Sequence, residues 1–112
     1  MPIQAWSDRI WVLTLADEPA LSEELTNAAE LASKAESPPE VVVNFSAVTR
    51  VGSVNLSQLL ALRKVSVRRG ARVKIAGVVD AVWVVFLTTG LDKVFDFTPD
   101  VPSALAALQI DS

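Results

Sequence analysis

Residues 41–62, VVVNFSAVTRVGSVNLSQLLAL, decide the fold class of this chain. The β-branched run at the start is the pattern of a strand buried on both faces, and the leucine-rich end is typical of a helix. Ser53 lies at the junction, where free backbone N–H groups and the positive end of the helix dipole meet. This serine is predicted either to cap the helix or to carry a phosphate that the same N–H groups help to hold.

The patterns around this segment predict strands that alternate with helices. Strands are predicted at residues 4–7, 10–15, 41–45, 72–77 and 94–97, and helices at about residues 22–36, 53–69, 81–88 and 102–108. Ser22, Asp80 and Asp100 are predicted to open helices, and Gly70 and Gly90 to end them. The order β-β-α-β-α-β-α-β-α predicts an α/β fold with a single mixed β-sheet covered by about four helices. The length predicts one domain over residues 1–112.

The composition excludes several kinds of enzyme. The chain has no cysteine and no histidine, so a disulfide framework, a thiol nucleophile and a Ser-His-Asp triad are all excluded. The acids show no metal-ligand spacing, and the four glycines form no phosphate-binding loop. We therefore expect no catalytic residue, no metal and no cofactor.

The hydropathy pattern gives no sign of a membrane segment. The N-terminus lacks the basic start and apolar run of a signal peptide, and the uncharged apolar run at residues 81–91 is too short to cross a bilayer. We expect a cytoplasmic protein without membrane insertion.

The basic residues are distributed unevenly. Seven of the ten lie between Arg50 and Lys74, and residues 41–79 contain no acid. This pattern indicates either a solvated basic helix on a mildly acidic protein or an electrostatic face for an acidic partner. Nucleic-acid binding is not expected, because the net charge is −3 and no DNA- or RNA-binding motif occurs.

A helical wheel separates two faces of the helix predicted at residues 53–69. The predicted core stripe consists of Leu56, Leu59, Leu60 and Val67. The other face mixes hydroxyl, apolar and basic side chains and consists of Ser53, Val54, Ser57, Ala61, Lys64, Val65 and Arg68. This second face is predicted to contact a partner, and the alternative is that its valines pack sideways on neighbouring elements.

The third predicted helix carries an unusual tryptophan. Val82, Val85 and Phe86 form its apolar stripe, whereas Trp83 and Val84 lie outside that stripe. Trp83 is predicted either to anchor a partner or a homodimer, or to lie flat over the sheet edge or a neighbouring helix.

Three local patterns together resemble the STAS domain, which is found in sulfate transporters and anti-sigma-factor antagonists. The first is the strand, turn and helix of residues 41–62. The second is RRGARVKI at residues 68–75, and the third is TTGLDKVF at residues 88–95. The resemblance covers roughly residues 40–109 and implies a STAS fold with a non-enzymatic regulatory role.

The resemblance to the bacterial antagonists implies partner switching. The unmodified domain would bind an anti-sigma factor that is also a serine kinase. Phosphorylation of the serine at the start of the second helix would release that partner, and a phosphatase would reset the domain. Ser53 aligns with the acceptor serine, so the resemblance implies that Gly52, Val54 and Asn55 lie in the partner-binding region.

Three positions depart from the family pattern of Asp-Ser-(Ser/Thr)-Gly. Val54 stands where the family has a serine or threonine. Gly52 replaces the aspartate before the serine, and Asn55 stands where the family often has glycine. These departures favour an alternative, in which the chain is a constitutive, non-phosphorylated STAS scaffold or an accessory subunit of a signalling or transport complex.

Overall fold

A five-stranded mixed β-sheet organises the chain in the computed structural model, which describes residues 2–110. Its strands, in spatial and chain order, are β1 (Ile3–Ala5), β2 (Ile10–Ala16), β3 (Glu40–Ala47), β4 (Val73–Ala76) and β5 (Asp96–Thr98). The first two strands pair antiparallel and the remaining neighbours pair parallel. The predicted fold class and order of elements are confirmed.

Four α-helices connect and cover the strands. They are α1 (Ala20–Lys34), α2 (Ser53–Arg68), α3 (Asp80–Thr89) and α4 (Val101–Ile110), with a short 3₁₀ turn at Leu91–Lys93. Successive side chains of a strand point to opposite faces, and β3 shows this directly. Val41 and Val43 belong to the main core with residues of α1, α2 and α3, whereas Val42 packs with Ala104 and Leu108 of α4. The central strand is therefore buried on both faces, as predicted.

Two helix starts differ from the prediction. Helix α1 begins at Ala20, so Ser22 lies inside its first turn, and α3 begins after Val79, so Asp80 is its first residue. Ser22 donates its backbone N–H (2.8 Å) and its hydroxyl to the Glu18 carboxylate, which satisfies a free donor of the first turn. Asp100 does cap α4 as predicted, because its Oδ1 accepts the N–H of Ser103 at 2.8 Å. The hydroxyl of Ser103, and then this N–H, hydrogen-bond to the Asp100 carboxylate and lower its pKa.

Helix α2 ends as the sequence predicts, with Gly70 in the left-handed conformation at φ +79°. The N–H of Ala71 donates to the carbonyl of Ser66 (2.8 Å), and the N–H of Gly70 donates to the carbonyl of Val67 (3.0 Å). This pair of bonds is a Schellman motif, which satisfies the last carbonyls of the helix and turns the chain toward β4.

The core stripe of α2 is confirmed at Leu56 and Leu59, but its centre is shifted from the predicted position. Its buried residues are Asn55, Leu56, Leu59, Leu62 and Ser66. Val67 is wrong as a core residue, since it is 50% exposed. The prediction left out polar Asn55 and Ser66 and also apolar Leu62, so its centre lay about a quarter-turn away, on the side of Val67.

Candidate functional site

Ser53 is the first residue of α2, and Gly52 is the N-cap. The predicted capping role of Ser53 is therefore wrong. Ser53 is exposed, and within residues 2–110 its hydroxyl makes no hydrogen bond. The side chain is free for reaction or contact.

The backbone around Ser53 offers hydrogen-bond donors. The first turn closes when the N–H of Leu56 donates to the carbonyl of Gly52 at 3.1 Å. The N–H groups of Ser53, Val54 and Asn55 have no acceptor among the described residues. Together with the helix dipole, such groups favour an anion at this end of the helix.

Asn55 shapes the turn that precedes the helix. Its Oδ1 accepts the N–H of Gly52 at 2.9 Å. This bond is one half of a capping box, and the other half is missing because glycine has no side chain. Asn55 is only 6% exposed, so it faces the interior and not a partner, which corrects its predicted place on the contact surface.

A carboxylate from the loop before α1 holds Asn55. The amide Nδ2 of Asn55 donates to Glu18 Oε2 (3.1 Å) and to Ser22 Oγ (3.2 Å). The hydroxyl of Ser22, then its N–H, and then Asn55 stabilise the ionised carboxylate and lower the pKa of Glu18. The start of α2 is thereby tied to the start of α1.

A second carboxylate holds the loop before α2. Asp17 accepts the hydroxyl of Thr49 at 2.6 Å and the N–H of Thr49 at 2.8 Å. These two bonds, the hydroxyl first, lower the pKa of Asp17. Sequence reasoning missed both carboxylates because the contacts that tie them to the loop before α2 and to its first turn, Asp17 with Thr49 and Glu18 with Asn55, span more than thirty residues. The local signal was an Asp-Glu pair after a strand, with Ser22 four residues beyond Glu18.

A groove of about 500 Å³ lies between the two loops. Asp17, Glu18, Thr49, Arg50 and Gly52 contribute to its walls. Both of its carboxylates already accept hydrogen bonds from the protein, and no cluster of metal-ligating side chains occurs in residues 2–110. The groove marks where the two loops meet beside Ser53.

The predicted contact surface of α2 is exposed along its length. We use the name α2 face for Ser53, Val54, Ser57, Ala61, Lys64 and Arg68, all of which are exposed. Val54 is 62% exposed, which is a large solvent-facing fraction for an apolar side chain. Val65 does not belong to this face, since it is partly buried against the main core. Gly52 is exposed at the end of the face.

Trp83 is half-buried. Its ring meets that of Phe97 edge-on, with centroids 4.9 Å apart and an angle of 81°. It packs against the main core, so the interpretation in which it covers neighbouring structure matches its position better than that of an exposed anchor. Val84 beside it is 57% exposed.

The comparisons with known proteins identify the family. The model of the STAS domain family matches residues 10–104, and the chain belongs to this family. A search of curated proteins gives no significant match. Within the part of the chain that the structure describes, each helix is too short or too polar to cross a membrane.

Solved structures share the fold at low sequence identity. An anti-sigma-factor antagonist (STAS) domain protein from Planctomyces limnophilus has a TM-score of 0.81 at 16% identity, over 96% of this chain and 97% of that chain. A serine-to-glutamate variant of RsbS from Moorella thermoacetica has a TM-score of 0.73 at 20% identity, over 97% and 96%. A chain of the stressosome, a signal integration and transduction hub, has a TM-score of 0.75 at 20% identity, over 96% of each chain.

Proposed function

We propose that this chain is a non-enzymatic regulatory binding module of the anti-sigma-factor-antagonist kind, acting in transcription regulation in a bacterial cytoplasm. Its partner is a kinase-type anti-sigma factor, which binds the α2 face and the loop before it. Phosphorylation of Ser53 by that partner ends the complex, and a phosphatase restores it.

The state of Ser53 carries this proposal. Its hydroxyl is exposed and makes no hydrogen bond among the described residues, whereas a capping serine would have its oxygen engaged. It also begins the α2 face, where exposed Val54 offers apolar contact area. One residue is thus accessible to a kinase and placed at the edge of a docking surface.

The chemistry of the switch needs little from this chain. A kinase transfers the γ-phosphoryl group of ATP to Ser53 Oγ, so that a bond forms between phosphorus and Oγ while ADP leaves. A catalytic base of the kinase accepts the hydroxyl proton, as the catalytic-loop aspartate does in protein kinases. The free N–H groups of the first turn support the new phosphate, and its charge of about −1.5 to −2 disfavours burial in a protein interface.

The test uses purified kinase-type anti-sigma factors from the source organism, each mixed with this chain and ATP. We expect one phosphoryl group on the wild type, none on Ser53→Ala, and an unchanged modification of Ser57→Ala. Ser57 is the matched control because it lies one turn further along the same exposed face.

In binding measurements, Ser53→Asp should weaken the complex at least tenfold, while Ser37→Asp, which adds the same charge in the exposed loop after α1, should not.

A constitutive scaffold is the second candidate, and the Asn55 network favours it. Asn55 is hydrogen-bonded to Gly52, Glu18 and Ser22, so three contacts restrain the turn before Ser53. The likeness to a stressosome chain is consistent with such an assembly role. A complex that forms with equal affinity for wild type and Ser53→Asp, and that ignores phosphatase treatment, would support the scaffold over the switch.

A further inference from the structure

Five of the seven basic residues between Arg50 and Lys74 divide into those used inside the protein and those left to solvent. Of the other two, Arg50 lines the groove beside Asp17, and Arg63 is half-buried on another side of α2. Arg69 donates to the carbonyl of Ala32 at 2.8 Å. Arg72 forms two bonds to the Glu40 carboxylate, at 2.8 and 2.7 Å. Lys74 pairs with Asp96 at 3.3 Å. These three cations are held by contacts within this chain.

Lys64 and Arg68 are different. Both are exposed, and neither makes an ion pair or hydrogen bond within residues 2–110. Their i, i+4 spacing sets them about 6 Å apart along the helix axis, where like charges repel. The helix dipole offsets this for Arg68 in the last turn, but its effect fades before it reaches Lys64. An anion from outside the chain would relieve the repulsion.

A phosphate on Ser53 is not that anion. Ser53 and Lys64 are eleven positions apart, which is about 16 Å of helix. This distance is about twice the Debye length at physiological salt. The two ends of the α2 face therefore act independently through solvent, with exposed Ala61 between them.

We propose that the partner of the α2 face is a protein whose docking surface is acidic, with carboxylates opposite Lys64 and Arg68 and a small apolar area opposite Ala61 and Val54. This inference rests on the proposed function and specifies the chemistry of its partner. The two ends of the face have separate tasks. The basic end accelerates association by attraction, and the serine end controls how long the complex lasts.

The same surface does not suit a nucleic acid. Phosphate backbones are bound by many cations spread along a groove, whereas this face has two unpaired cations and carries exposed Val54 and Ala61 beside them. The net charge of −3 adds repulsion from a polyanion.

The first experiment measures association and dissociation rates with the purified kinase-type anti-sigma factor over a series of salt concentrations. We expect the double variant Lys64→Gln, Arg68→Gln to associate about tenfold more slowly at low salt, with a weaker salt dependence. The matched control Lys64→Arg, Arg68→Lys keeps the charge and should keep the rate. A second control, Lys34→Gln with Lys93→Gln, removes two charges from other exposed positions and should also keep it. Unchanged association of the first double variant would overturn the inference and leave the proposed function standing.

The second experiment does not depend on that partner. A short amphipathic helical peptide with glutamates at i, i+4 spacing is added to isotope-labelled protein, and amide chemical shifts are followed. We expect shifts centred on residues 61–68 that vanish in the first double variant and with a glutamine version of the peptide. If the peptide gives these shifts while no kinase-type anti-sigma factor binds the protein, the inference of an acidic docking surface holds and the proposed function fails. Shifts elsewhere, or larger shifts on this face with duplex DNA, would overturn the inference.

Discussion

The first and last turns of α2 each bury one polar side chain, but only the one in the first turn is hydrogen-bonded. Asn55, in the first turn, accepts one hydrogen bond and donates to Glu18 and Ser22. Ser66, in the last turn, is 2% exposed, and its Oγ has no hydrogen-bond partner within the described residues. A polar group is kept satisfied at the end that carries the candidate site and left unsatisfied at the end that the Schellman motif already fixes. We infer that buried Asn55 positions the turn before Ser53 and does not stabilise α2 as a whole.

The largest expected effect on the free energy of unfolding comes from removing the hydrogen bonds of Asn55. Asn55→Leu removes the acceptor of the Gly52 N–H and the donor to Glu18, at a buried site of similar size. Leaving such groups unpaired lowers the free energy of unfolding by about 2 kcal/mol. Urea unfolding measures the loss, and hydrogen exchange should show faster opening of residues 48–56 with little change after residue 66. Uniformly faster exchange along α2 would show that Asn55 stabilises the whole helix and not the turn.

A smaller change in the free energy of unfolding, of opposite sign, is expected at Ser66 in the last turn of α2. Ser66→Ala removes a buried hydroxyl that has no hydrogen-bond partner within the described residues and adds the best helix former. The free energy of unfolding should therefore rise by about 1 kcal/mol. Ser57→Ala is the control, since it changes the same atoms at an exposed position of the same helix and gains helix propensity alone, about 0.5 kcal/mol. Equal gains in the two variants would mean that burial of the Ser66 hydroxyl costs nothing.

The contrast also explains what the sequence could and could not predict. The strand and helix of residues 41–62 and the Gly70 terminus depend on local periodicity and local hydrogen bonds, and both are confirmed. The position of Asn55 depends on Glu18, which is 37 residues away in sequence, so no local pattern marks it as an internal residue. Part of the shift in the core stripe has the same origin, because polar Asn55 and Ser66 lie where hydrophobicity predicts solvent. The omission of buried Leu62 does not have this origin, since leucine is apolar.

The exposed face was easier to predict than the turn beside it. Residues on the α2 face share a side of the helical wheel and have no long-range contact to move them, so periodicity places them. Val65 is the exception, since periodicity put it on this face although it packs against the main core. Their role as partner contacts stays a prediction. The Ser53 capping role was wrong because the helix begins one residue after Gly52, a boundary that depends on the Asn55 contact.

The smallest expected effect is on the pH dependence of stability. It tests whether the contact between Asp17 and Thr49 depends on the charge of the carboxylate. The pKa of Asp17 is lowered in the folded protein, chiefly by the Thr49 hydroxyl and then by its N–H. A lowered folded-state pKa means that the unfolded chain binds more protons, so stability rises with pH across this range. The contribution is complete above the ordinary pKa of an aspartate, 3.8, and is lost as the pH falls through the lower folded value.

Asp17→Asn keeps an acceptor for Thr49 but cannot titrate, so its unfolding free energy should fall less steeply than that of the wild type below about pH 4. Asp8→Asn, at an exposed position without a hydrogen bond in the described residues, serves as the control and should follow the wild-type curve. If Asp17→Asn also followed that curve, the Thr49 contact would hold the loop by geometry alone, and the ionisation of Asp17 would play no part in positioning Ser53.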